Sequence, residues 1–234
     1  MEDYQTSQVI PERFSAKETA KRKMWHCPDH RHTGLSSGHM ACYNRVHGIE
    51  ERKVFVDIET TNLKANFGVI LTWCAKDIST GQIHYDYMTH EDVEEDTADK
   101  RIVQTLIDTM WGYDRIVGHF STYFDVPFIR TRAIHWDLDY PEYGMFYHTD
   151  TWKMAKKLLC LHSNRQDSVA QAVQHKSCKT RINPDIWAKV LFGSKKQRTT
   201  LIKEVLHHNE QDVIEGCGNY LAMLKYYKEL KSKI

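Results

Sequence analysis

The sequence predicts one α/β domain built on a mixed sheet, preceded by a short N-terminal extension. A β-branched apolar run at 53–58 begins the domain, and the segments 67–76 and 83–88 form a hairpin around a Ser-Thr-Gly turn. After the hairpin, amphipathic helical patterns alternate with short apolar runs. Three antiparallel strands followed by alternating helices and strands predict a sheet with an antiparallel and a parallel part, flanked by helices.

The remaining elements follow in order along the chain. The acidic stretch 90–99 is expected to be a solvated loop leading into a helix. Apolar runs predict two further strands, at 114–118 and 146–149. The predicted helices cover 14–23, 99–110, 124–136, 150–161, 165–175, 184–192 and about 200–230. We therefore expect an extension over 1–52 and the α/β domain over 53–234.

Composition limits the class of protein. The 234 residues are 41% hydrophobic and 27% charged, which suits one sizeable globular domain. No apolar run approaches the ~20 residues of a membrane-spanning helix, so no membrane association is expected. The acidic N-terminus does not resemble a signal peptide, and six scattered cysteines fit a reducing environment, so we expect a cytoplasmic protein.

The net charge of +1 hides an uneven distribution. Residues 77–99 hold eight Asp or Glu and no Lys or Arg, whereas residues 151–203 hold twelve Lys or Arg against Asp167 and Asp185. Solvated helix faces commonly carry lysine, and for any single Lys that explanation is sufficient. The block as a whole indicates a face that contacts the phosphates of a nucleic acid.

Two Cys/His pairs lie in the N-terminal extension. Cys27 and His30 are three residues apart, as are His39 and Cys42, and a Gly- and Ser-containing loop joins the pairs. Thiolates and imidazoles at such spacing are typical ligands of a structural Zn²⁺. His26 and His32 are alternative ligands, and a loop rich in solvated histidines is the alternative to a zinc site.

Two carboxylates interrupt the first strand. Alternation along Val54–Thr61 places Asp57 and Glu59 on one face, while Val56 and Ile58 point to the other. Neighbouring carboxylates repel each other unless a cation lies between them, and Mg²⁺ or Mn²⁺ prefers such oxygen ligands. A strand with an acidic solvated face would show the same residues.

Two more acids stand in comparable places. Asp125 lies between apolar residues where a strand leads into a helix, and Asp212 lies on the long C-terminal helix. His208 precedes Asp212 by four residues, which puts both on one helix face. Separately, these would be a helix cap, a surface acid and a solvated histidine. Together with Asp57 and Glu59, they indicate one site.

These motifs resemble those of the DEDD 3′–5′ exonuclease superfamily, whose fold is ribonuclease H-like. The similarity is greatest to the proofreading domain of family B DNA polymerases and its stand-alone phage and bacterial relatives. It covers about 53–230 and rests on three motifs in order. They are Phe55-Val-Asp57-Ile-Glu59-Thr60-Thr61, Phe124-Asp125-x-Pro127-Phe128 and His208-Asn209-Glu-Gln-Asp212-Val213.

The resemblance implies two-metal hydrolysis of phosphodiester bonds. Asp57, Glu59, Asp125 and Asp212 would hold two Mg²⁺ or Mn²⁺ ions, and His208 would orient a water or take its proton. Thr60 and Leu63 would contact the terminal nucleotide. The expected substrate is the 3′ end of single-stranded nucleic acid, with DNA favoured, and replication or repair proteins are candidate partners.

The sequence departs from the family pattern in two places. Phe120 stands where relatives usually have an Asn that positions substrate. The third motif has histidines both four and five residues before Asp212. A continuous helix places His208 beside Asp212 and turns His207 away, so His208 is the first choice and a local helix break would favour His207.

Three other functions remain open at this stage. A structure-selective endonuclease or ribonuclease would share the fold but cut internally. A non-catalytic nucleic-acid-binding module would use the zinc site and the basic block but would not need converging carboxylates. A protein–protein adaptor would bind with little dependence on salt.

Overall fold

The computed structural model describes residues 14–35, 40–95, 97–178, 180, 182–183 and 185–228, which form a five-stranded sheet with helices on both faces. The strands are β1 (Lys53–Thr60), β2 (Ile70–Asp77), β3 (Ile83–Tyr87), β4 (Arg115–Gly118) and β5 (Tyr147–Asp150). The helices are α1 (Ala16–Met24), α2 (Met40–Val46), α3 (His90–Glu94), α4 (Lys100–Trp111), α5 (Asp125–His135), α6 (Thr151–Leu158), α7 (Gln166–Gln174), α8 (Asp185–Phe192) and α9 (Lys195–Leu224).

The sheet has the order β3-β2-β1-β4-β5, with β1 at its centre. β1 pairs antiparallel with β2, and β2 antiparallel with β3, whereas β4 and β5 run parallel to β1. The predicted mixed sheet of three antiparallel strands followed by parallel strands is therefore confirmed. The register between β1 and β2 shifts between Glu59 and Thr60, so this strand pair is irregular where the first motif ends.

Both faces of β1 are covered by apolar side chains. Val54, Val56 and Ile58 point into a core shared with α4 and α5. Phe55 points to the opposite face, into a second core with residues of α6, α7 and α9. Asp57 and Glu59 alternate with Ile58 and so lie on the Phe55 face, which α9 covers.

The long helix α9 runs antiparallel to β1. Lys53 Nζ donates to the Tyr220 hydroxyl (3.1 Å) at one end, and Glu59 lies beside His208 at the other. Six strand steps span ~20 Å and twelve helix steps ~18 Å, so the two elements stay in register over this length. Successive turns of α9 therefore face successive residues of one β1 face.

Gly216 lets α9 approach β1 closely. A Cβ atom at this position would lie 2.1 Å from Phe55 Cζ, far inside van der Waals contact. Phe55 is fully buried beneath the helix. The absence of a side chain at this turn sets the depth at which the next turn, carrying Asp212, meets the strand.

The prediction of a solvated loop at 90–99 is wrong. Residues 90–94 form α3, which begins with a capping box between Thr89 and Asp92. Asp92 is buried and pairs with Arg101 (2.8 Å), and Asp99 is fully buried against Arg132 (2.7 Å). These acids are buried because arginines of α4 and α5 neutralise them, and pairs so distant in sequence leave no local pattern.

The replacement Gly216→Ala tests the close approach of α9. Overpacking against Phe55 should outweigh the ~1 kcal/mol that Ala gains over Gly in a helix, for a net loss of about 2 kcal/mol in the free energy of unfolding. Urea unfolding measures this loss, and adding Phe55→Leu should restore part of it. Gly218→Ala is the comparison variant and should cost less, because the atoms nearest its Cβ, at 2.3–2.8 Å, belong to the end of the Gln174 side chain, which can shift more easily than the buried Phe55 ring. Equal effects of the two glycine replacements would contradict the proposed packing.

Candidate active site

The carboxylates of the first motif meet the third motif across the β1–α9 contact. His208 Nε2 lies 3.6 Å from Glu59 Oε1 and 3.6 Å from Asp212 Oδ2. Ligand atoms of these three residues all lie within 4.8 Å of one another, which is close enough to share a metal ion. The helical spacing of His208 and Asp212 thus produces the shared face that the sequence indicated.

His208 and His207 have different surroundings. The His208 side chain is largely buried, and its Nδ1 is hydrogen-bonded to the Thr180 hydroxyl, which leaves Nε2 toward Glu59 and Asp212. The His207 side chain is 55% exposed and lies 3.9 Å from Glu210. Because α9 is continuous here, His208 and not His207 is the histidine that lies beside Asp212.

Asn209 is a site residue that sequence reasoning missed. Its Nδ2 donates to Asp57 Oδ2 (2.6 Å), and its Oδ1 accepts from Thr72 Oγ1 (3.1 Å). Asn209 is fully buried, so the amide fixes the orientation of one Asp57 oxygen. The residue stands inside the third motif, but nothing local distinguishes it from a solvated helix Asn.

Asp125 joins the group from the start of α5. The side chain is buried, and Asp125 Oδ1 accepts from the Ile58 N–H (3.3 Å). This bond ties the second motif to the residue between Asp57 and Glu59. The structure therefore brings Asp57, Glu59, Asp125, Asp212 and His208 together at the C-terminal end of the central strand β1.

Burial and mutual repulsion disfavour the charged forms of these acids. Desolvation raises the pKa of Asp57 well above its ordinary value, and the charges of Asp125, Asp212 and Glu59 raise it further against the Asn209 hydrogen bond. Desolvation also raises the pKa of Asp125 to about 7. A divalent cation would relieve both effects, so the donor set fits hard cations such as Mg²⁺ or Mn²⁺.

A family model described as RNase_H superfamily matches residues 54–216 of this chain. The chain belongs to the RNase H superfamily. The matched segment begins at β1 and ends at Gly216, and so contains every residue of the carboxylate cluster. The expected ribonuclease H-like fold is confirmed.

Solved structures give the same fold. The structure of the family B DNA polymerase from the hyperthermophilic archaeon Pyrobaculum calidifontis matches with a TM-score of 0.59 and 18% identity. The match covers 76% of this chain but 25% of the polymerase, so this chain spans about a quarter of that protein's length. No curated protein matches the sequence.

Within this RNase H-like frame, Asp150 organises the loop that carries the second motif. Its carboxylate accepts from the backbone N–H groups of Phe120 (2.9 Å), Thr122 (3.0 Å) and Trp152 (3.0 Å). Asp150 is buried at the end of β5, beside the end of β4. Sequence reasoning missed it, although an acid at the end of a parallel strand next to β4 was a usable signal.

Phe120 adopts a left-handed backbone conformation, with φ of +59°. Asn tolerates this conformation far better than a bulky side chain does, so the Asn of the family pattern would fit this backbone with less strain. In this chain Phe120 remains 42% exposed and contacts Tyr123 and Trp152. The departure from the family pattern thus replaces an amide with an exposed aromatic ring.

The predicted substrate contacts follow β1. Thr60 Oγ1 donates to the Asn62 carbonyl (2.9 Å), and Leu63 is 77% exposed in the turn beyond. Thr60 follows Glu59 directly and ends β1, and Leu63 follows three residues later. Their contact with a nucleotide remains a prediction.

The basic residues of the block 151–203 have different surroundings on α6 and on α9. On α9, Lys195 pairs with Glu91 (3.6 Å) and Arg198 with Glu94 (3.1 Å), so the acidic segment around α3 offsets this end. On α6, Lys153, Lys156 and Lys157 are exposed. The exposed lysines of α6 are therefore better candidates for phosphate contact than the paired Lys195 and Arg198 of α9.

Cysteines and histidines of the N-terminal extension form a second cluster. Ligand atoms of Cys27, His30, His32 and Cys42 lie within 4.8 Å of one another, and both cysteines are buried. His30 Nδ1 lies 3.5 Å from Cys27 Sγ and 3.6 Å from Cys42 Sγ. The predicted ligand His39 lies outside the described residues.

His32 is the fourth metal-binding side chain of this cluster among the described residues. Its Nδ1 is hydrogen-bonded to the Thr33 carbonyl (2.8 Å), which makes Nε2 the nitrogen that can bind a metal. Two thiols and two imidazoles are the donor set that Zn²⁺ prefers.

The Cys/His cluster lies away from the carboxylates. Burial raises the pKa of Tyr147, at the start of β5, and the nearby charges of Glu51 and Cys42 raise it further. Cys42 therefore lies near the start of β5. Arg52, before β1, packs over the Phe14 ring and pairs with Asp114 (3.2 Å), before β4. The extension thus docks where the parallel strands begin, whereas the carboxylates lie where they end.

The described part of the chain contains no helix with the length and apolar character needed to span a membrane.

Proposed function

We propose that this protein is a divalent-metal-dependent 3′–5′ exonuclease acting on single-stranded nucleic acid, with DNA favoured. The observation that carries the proposal is the convergence of Asp57, Glu59, Asp125 and Asp212 with His208 in an RNase H-like fold. Clustered buried acids whose charges repel one another are costly without a cation, and RNase H-like nucleases use divalent metals. The similarity of the chain to a DNA polymerase fold favours DNA.

The carboxylates define the chemistry. Asp57, Glu59, Asp125 and Asp212 would hold two Mg²⁺ or Mn²⁺ ions, which when bound supply a water of lowered pKa and stabilise the departing 3′ oxygen. In the reaction, the water oxygen bonds to phosphorus and the bond from phosphorus to the 3′ oxygen breaks. The products are a nucleoside 5′-monophosphate and a strand with a new 3′ hydroxyl.

The protein's own groups prepare this step. His208 Nε2, between Glu59 and Asp212, would orient the attacking water or accept its proton. Asn209 would keep one Asp57 oxygen oriented through its amide. Thr60 and Leu63 would contact the terminal nucleotide, and lysines of α6 would bind the phosphates behind it. Replication or repair proteins remain candidate partners.

A 5′-labelled single-stranded DNA oligonucleotide with Mn²⁺ tests the proposal on a denaturing gel. The wild type should produce a ladder that shortens from the 3′ end, and Asp57→Ala should abolish it. His208→Ala should slow the reaction by a factor of about 10² to 10⁴, as expected for loss of a general base. His207→Ala is the matched control and should stay within about twofold of the wild type, because its side chain points to solvent.

Other gel patterns would replace the proposal with a specific alternative. Internal cuts lost in Asp57→Ala would indicate an endonuclease, and cleavage of RNA alone would indicate a ribonuclease. An oligonucleotide that stays uncut on this gel but is retarded by the protein on a native gel would indicate a binding module. Cleavage that survives in Asp57→Ala would show that the site is elsewhere.

The Cys/His cluster is proposed to hold one structural Zn²⁺ through Cys27, His30, His32 and Cys42. Its position at the opposite end of the strands from the carboxylates favours a structural role. Elemental analysis of purified protein should find one zinc per chain, lost in His32→Ala and retained in the control His26→Ala, whose imidazole contacts the Met24 carbonyl instead. Loss of zinc in His39→Ala but not in His32→Ala would contradict this ligand set and favour the one expected from the sequence.

A further inference from the structure

Three aromatic side chains form a partly exposed patch around the loop that leads to Asp125. Phe120 and Tyr123 lie in the loop before α5, and Trp152 lies at the start of α6. The ring centroids are 5.1 Å apart for Phe120–Tyr123, 5.4 Å for Phe120–Trp152 and 6.0 Å for Tyr123–Trp152. Phe120 is 42% and Tyr123 56% exposed, although aromatic rings of this size normally stabilise a protein by burial.

The patch is held in a fixed place relative to Asp125. Asp150 accepts hydrogen bonds from the backbone of Phe120, Thr122 and Trp152, which joins the loop to α6. The Phe124 N–H also donates to the Phe120 carbonyl (3.2 Å), and Asp125 follows as the first residue of α5. The backbone that carries the rings is therefore tied to Asp150 and to the start of the helix that begins with Asp125.

The local backbone does not favour the residue found there. Phe120 has positive φ, a conformation that costs a bulky side chain more than Asn or Gly. An unfavourable conformation combined with an exposed apolar ring gives no stability in return. A ligand that covers the ring would account for it.

Lysines surround the rings. Lys153 Nζ lies 5.0 Å from the Tyr123 ring centroid, and Lys156 Nζ lies 5.0 Å from the Trp152 ring centroid. Both lysines are exposed on α6. Aromatic faces interleaved with cations suit an unpaired nucleic-acid strand, because bases stack on the rings while ammonium groups bind the phosphates.

We propose that Phe120, Tyr123 and Trp152 form a base-stacking platform for a single strand whose 3′ end occupies the carboxylate cluster, with Lys153 and Lys156 bound to its phosphates. The inference rests on the proposed function for the direction of the strand. The occupant is a single strand rather than a duplex, because paired bases do not offer their faces to side chains. The platform would tolerate any sequence, since every base has a stacking face.

Fluorescence anisotropy of a short 5′-fluorescein-labelled oligodeoxythymidylate tests the platform separately from cleavage. Ca²⁺ replaces Mg²⁺ so that a hard cation is present, and a gel run after each titration verifies that the strand is intact. Tyr123→Ala should weaken binding by roughly tenfold. Tyr226→Ala is the matched control, because Tyr226 is 68% exposed with Lys225 Nζ 4.8 Å from its ring centroid, near the end of α9. The control should bind as the wild type does.

Two further comparisons separate stacking from local damage and from charge. Phe120→Gly should weaken binding while the thermal unfolding midpoint stays nearly the same, because Gly accepts positive φ and brings no side chain that could contact the strand. An abasic strand of the same length should bind wild type more weakly than the thymidylate and should not distinguish Tyr123→Ala from wild type. Equal affinity of Tyr123→Ala and Tyr226→Ala for the thymidylate, or equal affinity of wild type for the two strands, would overturn the platform.

The result is distinguishable from failure of the proposed function. If the protein binds through the rings but cuts no strand, the stacking platform is supported and the exonuclease proposal is contradicted. If the wild type shortens strands from the 3′ end and Tyr123→Ala binds the strand as tightly as the wild type, the exonuclease proposal is supported and the stacking platform is contradicted.

Discussion

The packing of α9 along one face of β1 is the constraint on which the rest of the site depends. Gly216 allows the helix to rest directly on the Phe55 ring, and the antiparallel register then aligns successive turns with successive strand residues. The turn of α9 that carries His208, Asn209 and Asp212 therefore lies opposite Asp57 and Glu59. If α9 lay further from the sheet, His208 and Asp212 would move away from Asp57 and Glu59.

This packing gathers like charges at a cost to stability. Burial and repulsion raise the pKa of both Asp57 and Asp125, so the folded protein disfavours their ionised forms relative to the unfolded chain. The apolar cores on the two faces of β1 must offset this cost. The same arrangement creates affinity for divalent cations, since a cation removes the repulsion that folding created.

Much of the fold and part of the site could be predicted from local pattern. Alternation along β1 fixes the common face of Asp57 and Glu59, and helical spacing fixes that of His208 and Asp212. Residues whose roles depend on distant partners could not be found in this way. Asn209 and Asp150 are defined by hydrogen bonds to other elements, and the buried Asp99 carboxylate is held by Arg132, Trp136 and the Ile70 N–H. His32, which the sequence indicates only as an alternative ligand, joins the Cys/His cluster through the fold of its loop.

Thermal unfolding with and without Mn²⁺ tests most directly whether the gathered carboxylates form a metal site. For Asp125, a folded pKa of about 7 against an unfolded value of ~3.9 means that stability is present at low pH and lost as pH rises toward 7. Without metal, the wild type at pH 8 should therefore unfold at a lower temperature than at pH 6, and Asp57→Asn should unfold at a higher temperature than wild type. Saturating Mn²⁺ at pH 8 should raise the wild-type midpoint by about 5 °C and leave Asp57→Asn nearly unchanged. A wild-type midpoint that does not respond to Mn²⁺, or an equal rise in Asp57→Asn, would contradict the account.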